Sequence, residues 1–348
     1  MGFRRAVVLV AMLALCLVAL WMGAAGAGAS QIAFANAQQG WQTTLEGSRA
    51  ILWHTADGGV SWTRLQSKPS ANGVADGAGP GAGRLAFASA TVGLWFWFQP
   101  RGRAPAVLCT TDGGRSWKKG GAVDPQHDRA SCLLTDAALA NSRVGWACTQ
   151  FCATAGGSIA KTNNAGATWH VQKRITGPDS TGGFWQVVCP TASSCYVLGN
   201  GNRLGGLWAT ADGGKHWARR RLPGGAYWYS IAFPTATTGW AVGHDGRIAK
   251  TSNGGLTWTR QASDTSAALY AESFVDNLHG FVVGEYGTVL RTTDGGSSWE
   301  TLYAGTSASL HEVTFVDGDH GWVYGHDENG GALVLRTTDG GDTWTELP

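Results

Sequence analysis

Short apolar runs separated by turn residues recur in a fixed order along the chain. One unit contains the runs IAF (residues 231–233), GWAVG (239–243) and RIAK (247–250). The same order returns at residues 273–275, 280–284 and 288–290, and again at 313–315, 321–325 and 333–335. Runs of this length, rich in β-branched and aromatic residues and bounded by turn residues, predict β-strands. We therefore predict three short strands, A, B and C, in each unit.

A hairpin pattern, Thr-x-Asp/Asn-x-Gly-x-x-Trp, follows strand C in every unit. Its seven copies begin at Thr55, Thr110, Thr162, Thr210, Thr251, Thr292 and Thr337 and end at Trp62, Trp117, Trp169, Trp217, Trp258, Trp299 and Trp344. Successive copies are 41 to 55 residues apart, which is the range for one four-stranded sheet per repeat. The pattern therefore predicts that the hairpin joins strand C to a fourth strand, D.

The residue types of this pattern suit a tight turn. An Asp or Asn side chain can accept hydrogen bonds from backbone N–H groups of its own turn, and the Thr hydroxyl can add another. The Gly at the fifth position permits a positive φ. A catalytic role for the carboxylates is disfavoured, because two copies carry Asn, which makes the same turn bonds. We interpret all seven residues as structural: Asp57, Asp112, Asn164, Asp212, Asn253, Asp294 and Asp339.

Seven such units predict an all-β fold, a seven-bladed β-propeller of four-stranded blades with the hairpins between strands C and D. The predicted blades span residues 30–66, 83–120, 130–173, 184–221, 227–262, 268–303 and 309–348. This architecture lets a chain of 348 residues with 52 glycines form one domain over residues 30–348. We also expect the ring to close without a strand exchanged between the first and last blades.

The first 29 residues have the layout of a secretory signal peptide. Two positive charges in residues 1–5 precede an apolar run at residues 6–22 and a string of small residues at 23–30. Ala27 and Ala29 fit the small-x-small rule of signal peptidase, so we expect cleavage after Ala29. The apolar run is also long enough to remain as an uncleaved anchor. Either outcome places the body of the chain outside the cytoplasm, as a secreted, periplasmic or lumenal protein.

Six cysteines follow the signal segment: Cys109, Cys132, Cys148, Cys152, Cys189 and Cys195. An even number of cysteines in an exported chain favours disulfides. Their spacings lack the matching second pair of a zinc site, so we expect no metal. The repeat alignment places Cys189 at the end of strand A and Cys195 at the start of strand B of one blade. That placement favours a bridge between these two, while the other pairings stay open.

The charge of the chain gives no global attraction to nucleic acid, because 26 basic and 24 acidic side chains leave a formal net charge of +2. Three basic segments nevertheless fall at corresponding places on the predicted D strands of blades two to four. They are Lys118 and Lys119, Lys173 and Arg174, and Arg219, Arg220 and Arg221. One sector of the outer rim would then be positive and suit a carboxylate-rich or anionic-lipid partner. Protection of exposed edge strands is the alternative role of such charges.

A second candidate site lies where the chain enters the innermost strand of a blade. Four residues before the aligned end of strand A, blades four to seven carry Trp185, Tyr229, Tyr270 and His311. In a propeller this position lies near the mouth of the central channel. Aromatic and His side chains there suit the binding of a peptide segment or a planar ligand. Simple packing of the channel rim is the alternative.

The hairpin pattern is identified as the Asp-box, or BNR repeat, of sialidases, some glucan hydrolases and sorting receptors. Its combination with a preceding Gly-Trp-x-Val-Gly strand, as at residues 239–243, resembles the photosystem II stability/assembly factor family. The resemblance extends over residues 30–348. It implies an exported, non-enzymatic propeller that binds an assembling membrane-protein subunit.

The alternative is a carbohydrate-binding or glycoside-hydrolysing Asp-box propeller. Sialidases usually begin with an Arg-Ile-Pro motif, whereas Arg174 and Ile175 are followed here by Thr176. Glycosidases need two carboxylates that face one cleft. Four carboxylates fall in predicted B–C turns with ordinary turn sequences: Asp245, Glu285, Asp327 and Glu328. We therefore predict a monomeric scaffold that binds a protein partner, with no catalytic residue, no cofactor and no nucleic acid.

Overall fold

The structure, a computed structural model, describes residues 31–46, 49–65, 83–97, 106–124, 133–150, 156–175, 183–199, 206–224, 227–327 and 330–347. These residues form seven antiparallel sheets of four strands each, which confirms the predicted seven-bladed propeller. The described helical structure consists of one short 3-10 turn, Glu285–Gly287. The predicted signal segment, Cys132, Cys152 and Glu328 lie outside the described residues.

The first four blades contain sixteen strands, four to a blade in chain order. Blade one has β1 (Gln31–Phe34), β2 (Gly40–Glu46), β3 (Arg49–Thr55) and β4 (Thr63–Arg64). Blade two has β5 (Arg84–Phe87), β6 (Gly93–Trp97), β7 (Ala106–Thr110) and β8 (Lys118–Lys119). Blade three has β9 (Leu133–Leu139), β10 (Gly145–Gln150), β11 (Gly157–Thr162) and β12 (His170–Ile175). Blade four has β13 (Phe184–Val188), β14 (Cys195–Gly199), β15 (Gly206–Thr210) and β16 (Ala218–Arg221).

The last three blades follow the same plan. Blade five has β17 (Trp228–Ala232), β18 (Gly239–Gly243), β19 (Ile248–Thr251) and β20 (Thr259–Gln261). Blade six has β21 (Leu269–Phe274), β22 (Gly280–Gly284), β23 (Thr288–Thr292) and β24 (Glu300–Tyr303). Blade seven has β25 (Ser309–Phe315), β26 (Gly321–His326), β27 (Ala332–Thr337) and β28 (Thr345–Glu346). Every sheet consists of four consecutive strands, so no strand is exchanged between blades one and seven, as predicted.

Aromatic stacking joins neighbouring blades. At five of the seven joints, the second residue of strand B stacks on an aromatic residue at the end of strand A of the next blade. Trp240, for example, stacks on Phe274 with ring centroids 3.7 Å apart. The ring closes in the same way, because Trp322 of blade seven stacks on Phe34 of blade one at 3.5 Å. The Asp-box Trp of the blade that carries this Phe meets it edge to face, as Trp299 meets Phe274 with ring centroids 6.1 Å apart. Each such Phe is therefore held by rings from two blades.

The Gly that opens strand B is required by this packing. A Cβ at Gly280 would overlap the ring of Phe274, and a Cβ at Gly321 would overlap the ring of Phe315. The aromatic residue at the end of strand A thus covers the bare backbone of the Gly. This contact explains why a Gly stands before the apolar run of strand B in the repeat.

The Asp-box turns are closed by their own side chains. In blade six the Thr292 hydroxyl accepts a hydrogen bond from Gly296 N at 2.7 Å and donates to Asp294 Oδ1 at 2.9 Å. Asp294 Oδ1 also accepts from Ser298 N at 2.9 Å. Asn164 and Asn253 accept the corresponding backbone bonds through Oδ1. The Ser298 hydrogen bonds lower the pKa of Asp294 to about 2, because they stabilise its charged form.

The same turns carry a bond to the preceding blade. The carbonyl of the fourth Asp-box residue accepts a hydrogen bond from a side chain of that blade, for example from Trp322 Nε1 to Gly58 O at 3.0 Å. The donors differ in chemistry but reach equivalent carbonyls: Trp41 to Gly113, Lys161 to Gly213, Lys250 to Gly295 and Arg291 to Gly340. These bonds therefore satisfy backbone groups of the turns within and between blades. The buried indole N–H groups of five Asp-box tryptophans nevertheless have no hydrogen-bond partner among the described residues: Trp169, Trp217, Trp258, Trp299 and Trp344.

Candidate functional site

The four aromatic candidates form one row at the end of the propeller opposite the Asp-boxes, which we call the mouth end. Strand A begins, and the B–C turn lies, at this end of each blade. The rings of Tyr229 and Tyr270 have centroids 5.6 Å apart, and those of Tyr270 and His311 lie 5.0 Å apart at 29°. Trp185 Nε1 donates to the carbonyl of Tyr229 at 3.3 Å. The row thus runs without a break across blades four to seven.

The row continues into the B strand of blade seven. His311 lies 5.6 Å from the ring of His326, and His326 Nε2 is 2.8 Å from the Tyr324 hydroxyl. Burial lowers the pKa of His311 to about 4 and also lowers the pKa of His326. Both imidazoles are therefore neutral near pH 7 and add aromatic surface without positive charge.

Glu285 anchors the centre of the row. Its carboxylate accepts hydrogen bonds from the Tyr270 hydroxyl at 2.9 Å and from Ala268 N at 3.2 Å. Burial raises the pKa of Tyr229 to about 12, and the negative charges of Glu285 and Asp245 add to this shift. Burial and the Glu285 hydrogen bond also raise the pKa of Tyr270. The phenols are therefore neutral, and the field around them is negative.

Two tyrosines at the mouth end hold left-handed backbone conformations that L-residues rarely adopt. Tyr227 has φ +84° and Tyr286 has φ +57°. Tyr286 occupies the B–C turn of blade six, where blade five has Asp245, a residue better suited to this conformation. The Tyr286 side chain is 78% exposed, so packing within the chain does not account for the tyrosine at this place.

The central channel contains a charged group that sequence reasoning missed. Arg84, on strand A of blade two, lies 3.6 Å from Asp136 of blade three and 3.8 Å from Glu312 of blade seven. Asp136 also accepts a hydrogen bond from Val187 N at 2.8 Å, which ties blade three to blade four. Arg84, Asp136 and Glu312 occupy the same position of the repeat, three residues before the aligned end of strand A and one residue after the aromatic candidates. A search of this position in the sequence alignment of the repeats could have found them.

Glu272 was also missed. It is 9% exposed on strand A of blade six, beside Ser230 of blade five. Burial raises its pKa to about 8. The equivalent residues of the other blades are all buried and apolar: Ile32, Leu85, Ala137, Val187, Ile231 and Val313. A carboxyl in an otherwise apolar position was visible in the repeat alignment.

The basic segments lie on the outermost strands, far along each sheet from the aromatic row. Lys118 and Lys119 are exposed on β8. Arg221 is exposed at the end of β16, whereas Arg219 and Arg220 are half-buried. Two further members are engaged within the protein, since Lys173 Nζ lies 4.7 Å from the Trp208 ring centroid and Arg174 pairs with Asp124 at 2.7 Å.

The sulfur atoms of Cys189 and Cys195 lie at disulfide distance, with their Cα atoms 4.1 Å apart. The pair links the end of strand A to the start of strand B within blade four, at the Asp-box end. Cys109 and Cys148 are buried with free thiols. Burial raises the pKa of both thiols, so neither is primed as a nucleophile.

The B–C turn carboxylates proposed for the hydrolase alternative are bound to other groups of the protein. Asp245 lies 2.6 Å from His244 Nδ1 and 3.6 Å from Arg247. Asp327 Oδ1 accepts from Gly331 N at 2.7 Å, within its own turn. In the described part of the chain, no three His, Cys, Asp or Glu side chains are arranged to hold a metal ion. Within the same ranges, no helix has the length and apolar character needed to span a bilayer.

Comparison with known proteins locates this geometry among BNR propellers. The profile of the family described as photosynthesis system II assembly factor YCF48 matches residues 258–348. This chain resembles the photosystem II assembly factor family in both repeat and fold. No curated protein matches the chain in sequence at a significant level.

Solved structures of YCF48 share the fold over most of both chains. YCF48 bound to D1 peptide is 19% identical, covers 90% of this chain and 92% of its own, and gives a TM-score of 0.62. YCF48 from Cyanidioschyzon merolae is 19% identical, with 90% and 96% covered and a TM-score of 0.64. The GH74 xyloglucanase from Xanthomonas campestris is 15% identical, with a TM-score of 0.64 over 92% of this chain and 54% of the enzyme. Likeness at these identities shows the propeller fold alone.

Proposed function

We propose that this chain is a non-catalytic propeller that binds an extended segment of a protein partner at its mouth end. The observation that carries the proposal is the unbroken row of Trp185, Tyr229, Tyr270 and His311 across four neighbouring blades. Rigid aromatic rings supply large contact area at low entropic cost, and they dominate the energetics of many interfaces. A row of them suits an extended chain better than a compact ligand.

The partner we propose is a membrane-protein subunit during its assembly. The YCF48 structure with the same fold is bound to a D1 peptide, which supports a peptide as the ligand of this propeller as well. The signal layout of residues 1–29 and the Cys189–Cys195 pair support an extracytoplasmic location. The basic segments of blades two to four would add long-range attraction to an acidic partner surface.

A glycoside-hydrolysing role is favoured less by the geometry. A pair of carboxylates would have to face one cleft with room for the scissile bond. Asp245 is instead paired with His244 and Arg247, and Glu285 holds Tyr270 and Ala268 N. These contacts engage the two carboxylates separately within the protein, which disfavours a catalytic pair.

Loss of two rings of the row tests the proposal. Tyr229→Ala combined with Tyr270→Ala should weaken partner binding by more than about 2 kcal/mol, the scale of interface hot spots. The matched control is Leu278→Ala, because Leu278 is 52% exposed at the Asp-box end. Equal affinity of the double variant and the control would rule out the mouth end as the binding site.

Photo-crosslinking identifies the partner independently. A benzophenone amino acid at position 229 should crosslink to one extended segment of a membrane-protein subunit in isolated membranes, as read by mass spectrometry. The same group at position 278 should not give this product. Crosslinks that arise only from position 278 would place the binding surface at the Asp-box end and contradict the proposal.

A further inference from the structure

Glu285 is a half-buried carboxylate whose described hydrogen-bond partners are neutral groups. Its hydrogen bonds come from a phenol and a backbone N–H, the Tyr270 hydroxyl and Ala268 N. Within the ranges that the structure describes, no Lys or Arg forms an ion pair with it. No described basic side chain therefore offsets this carboxylate at the centre of the aromatic row, where partial burial weakens screening by solvent.

Tyrosines are concentrated around this carboxylate. Of the seven tyrosines in the chain, six lie in blades five to seven, and Tyr196 is the exception. Tyr286 is 78% exposed and Tyr303 is 83% exposed. Tyr303 pairs with Thr288, the residue that follows the Glu285–Gly287 turn, so both exposed rings belong to the mouth end of blade six. Blade six therefore carries tyrosines at three places of its mouth end: Tyr270 on strand A, Tyr286 in the B–C turn and Tyr303 on strand D.

The backbone of Tyr286 indicates that this exposure has a use. A bulky residue in the left-handed region is strained, and such strain concentrates at ligand-binding sites. The turn is fixed in place because Gly287 N donates to Ala308 O at 2.8 Å. A rigid turn therefore presents an exposed ring beside Glu285, with no packing contact that accounts for the strain.

We propose that the mouth end of blades five and six binds a cationic side chain, a Lys or Arg, of the partner segment. The cation would contact the Glu285 carboxylate and the faces of Tyr229, Tyr270 and Tyr286. Carboxylate and aromatic faces together attract an ammonium or guanidinium group by ion pairing and by cation–π interaction. This inference rests on the proposed function, since it names the chemistry of the residue that the row recognises.

The surrounding charges agree with a cation and not with an anion. On the neighbouring blade, Asp245 and Arg247 lie 3.6 Å apart and their charges offset each other, so Glu285 is the carboxylate near the row without a basic partner among the described residues. The nearby basic residues already have carboxylate partners, since Arg247 lies 3.6 Å from Asp245 and Arg84 lies 3.6 Å from Asp136. The neutral His311 and His326 contribute no positive charge near pH 7.

A pair of short peptides tests the proposal without knowledge of the partner. The probes are a blocked pentapeptide with Arg at its centre and the same peptide with citrulline, which has the shape of Arg but no charge. The whole protein is labelled with 3-fluorotyrosine, and its seven tyrosine signals are assigned by single Tyr→Phe variants. The Arg peptide should shift the signals of Tyr229, Tyr270 and Tyr286. Tyr196, whose hydroxyl donates to Ala236 O at the Asp-box end, serves as the internal control.

Removal of one charge provides the decisive comparison. Glu285→Gln keeps an oxygen that accepts the Tyr270 hydrogen bond but loses the charge. We expect it to weaken binding of the Arg peptide about tenfold, the scale of a single charge contact, and to leave the citrulline peptide unchanged. Asp317→Asn is the matched control, because it removes one charge from an A–B loop at the opposite end.

Equal binding of the Arg and citrulline peptides, or unchanged Arg binding by Glu285→Gln, would overturn the inference. If partner crosslinking at position 229 persisted in that case, the proposed function would stand and only the cation specificity would fall. If the Arg peptide bound as expected while crosslinks came from position 278 alone, the cation site would stand and the proposed function would fall.

Discussion

The two ends of the propeller are built on different principles. At the Asp-box end, one set of turn bonds is repeated in all seven blades, and even the Asn copies reproduce it. At the mouth end, neighbouring blades differ, with aromatic residues at one position in blades four to seven but Gly83 in blade two. At the Asp-box end the Thr and Asp or Asn side chains bond the backbone of their own turns, while the mouth end leaves a carboxylate and several rings open to solvent.

This difference separates stability from recognition within one repeat. Bonds that recur in every blade are explained by the turn that each blade has to close. Residues that break the repeat, such as Tyr286 and Glu285, need another explanation, because the fold is built without them in the other blades. Variants at matched positions of the two ends should therefore change different measured quantities.

The largest effect should come from Trp322→Ala at the joint between blades seven and one. Trp322 is 2% exposed, stacks on Phe34 and donates to Gly58 O. Its loss should lower the free energy of unfolding by about 3–5 kcal/mol, as for other buried Trp truncations. Chemical denaturation measures this. Tyr286→Asn at the mouth end should leave stability unchanged or raise it. If Trp322→Ala and Tyr286→Asn lowered the free energy of unfolding by similar amounts, the proposed difference between the two ends would be contradicted.

A smaller effect, governed by pH, should arise at Glu272, midway between the ends. Its folded-state pKa of about 8 lies above the ordinary value of 4.5, so folding is favoured by protonation. Stability from this group is complete below pH 4.5 and is lost as the pH rises through 8. Glu272→Val introduces the residue that blades four and seven have at this position. The difference in free energy of unfolding between the variant and wild type should grow in favour of the variant by on the order of 3 kcal/mol from pH 4 to pH 9. If the unfolding free energies of the two proteins changed in parallel with pH, the raised pKa of Glu272 would be refuted.

Thr292→Val should cost about 1–3 kcal/mol of stability, because the buried N–H of Gly296 would lose its acceptor. Thr288→Val makes the same chemical change at the mouth end of the same strand, where we expect little loss. Asp294→Asn should also be tolerated, since Asn253 makes the equivalent bonds in blade five. Thermal unfolding of the three variants measures these effects. A marked loss of thermal stability in Thr288→Val would show that both ends of the propeller depend on Thr hydroxyl groups to the same degree.

The smallest effect on affinity should come from the outer rim. Replacing Arg219, Arg220 and Arg221 with Ala should mainly slow association with the partner and reduce its dependence on salt. The dissociation rate should stay nearly unchanged, in contrast to the variants of the aromatic row. Stopped-flow or surface binding kinetics at two salt concentrations measures both rates, and a faster dissociation would assign these arginines to the contact itself.

The sequence was sufficient for the fold because each blade is specified by local residues. The Thr, Asp and Gly of the hairpin close their own turn, and the blade boundaries follow from their spacing. Alignment of the repeats also identified the positions of Tyr229, Tyr270 and His311, whose rings the structure brings together. The contact between Tyr270 and Glu285 was not predictable, because it joins a strand A to a B–C turn through side-chain geometry. The alignment could also have located the charged residues Arg84, Asp136 and Glu312, but their pairing depends on ring closure and was not predictable.

The joint between blades seven and one uses the same stacking and the same carbonyl bond as the joints of blades one with two, five with six, and six with seven. Each blade is complete in four consecutive strands, so cyclic reordering of the chain at blade boundaries would preserve every strand pair. Blades seven and one therefore pack against each other as other neighbouring blades do, although no peptide bond connects them. A chain with whole blades added, removed or cyclically reordered would keep the strand pairing of every sheet. The contacts between neighbouring blades would have to accommodate the change.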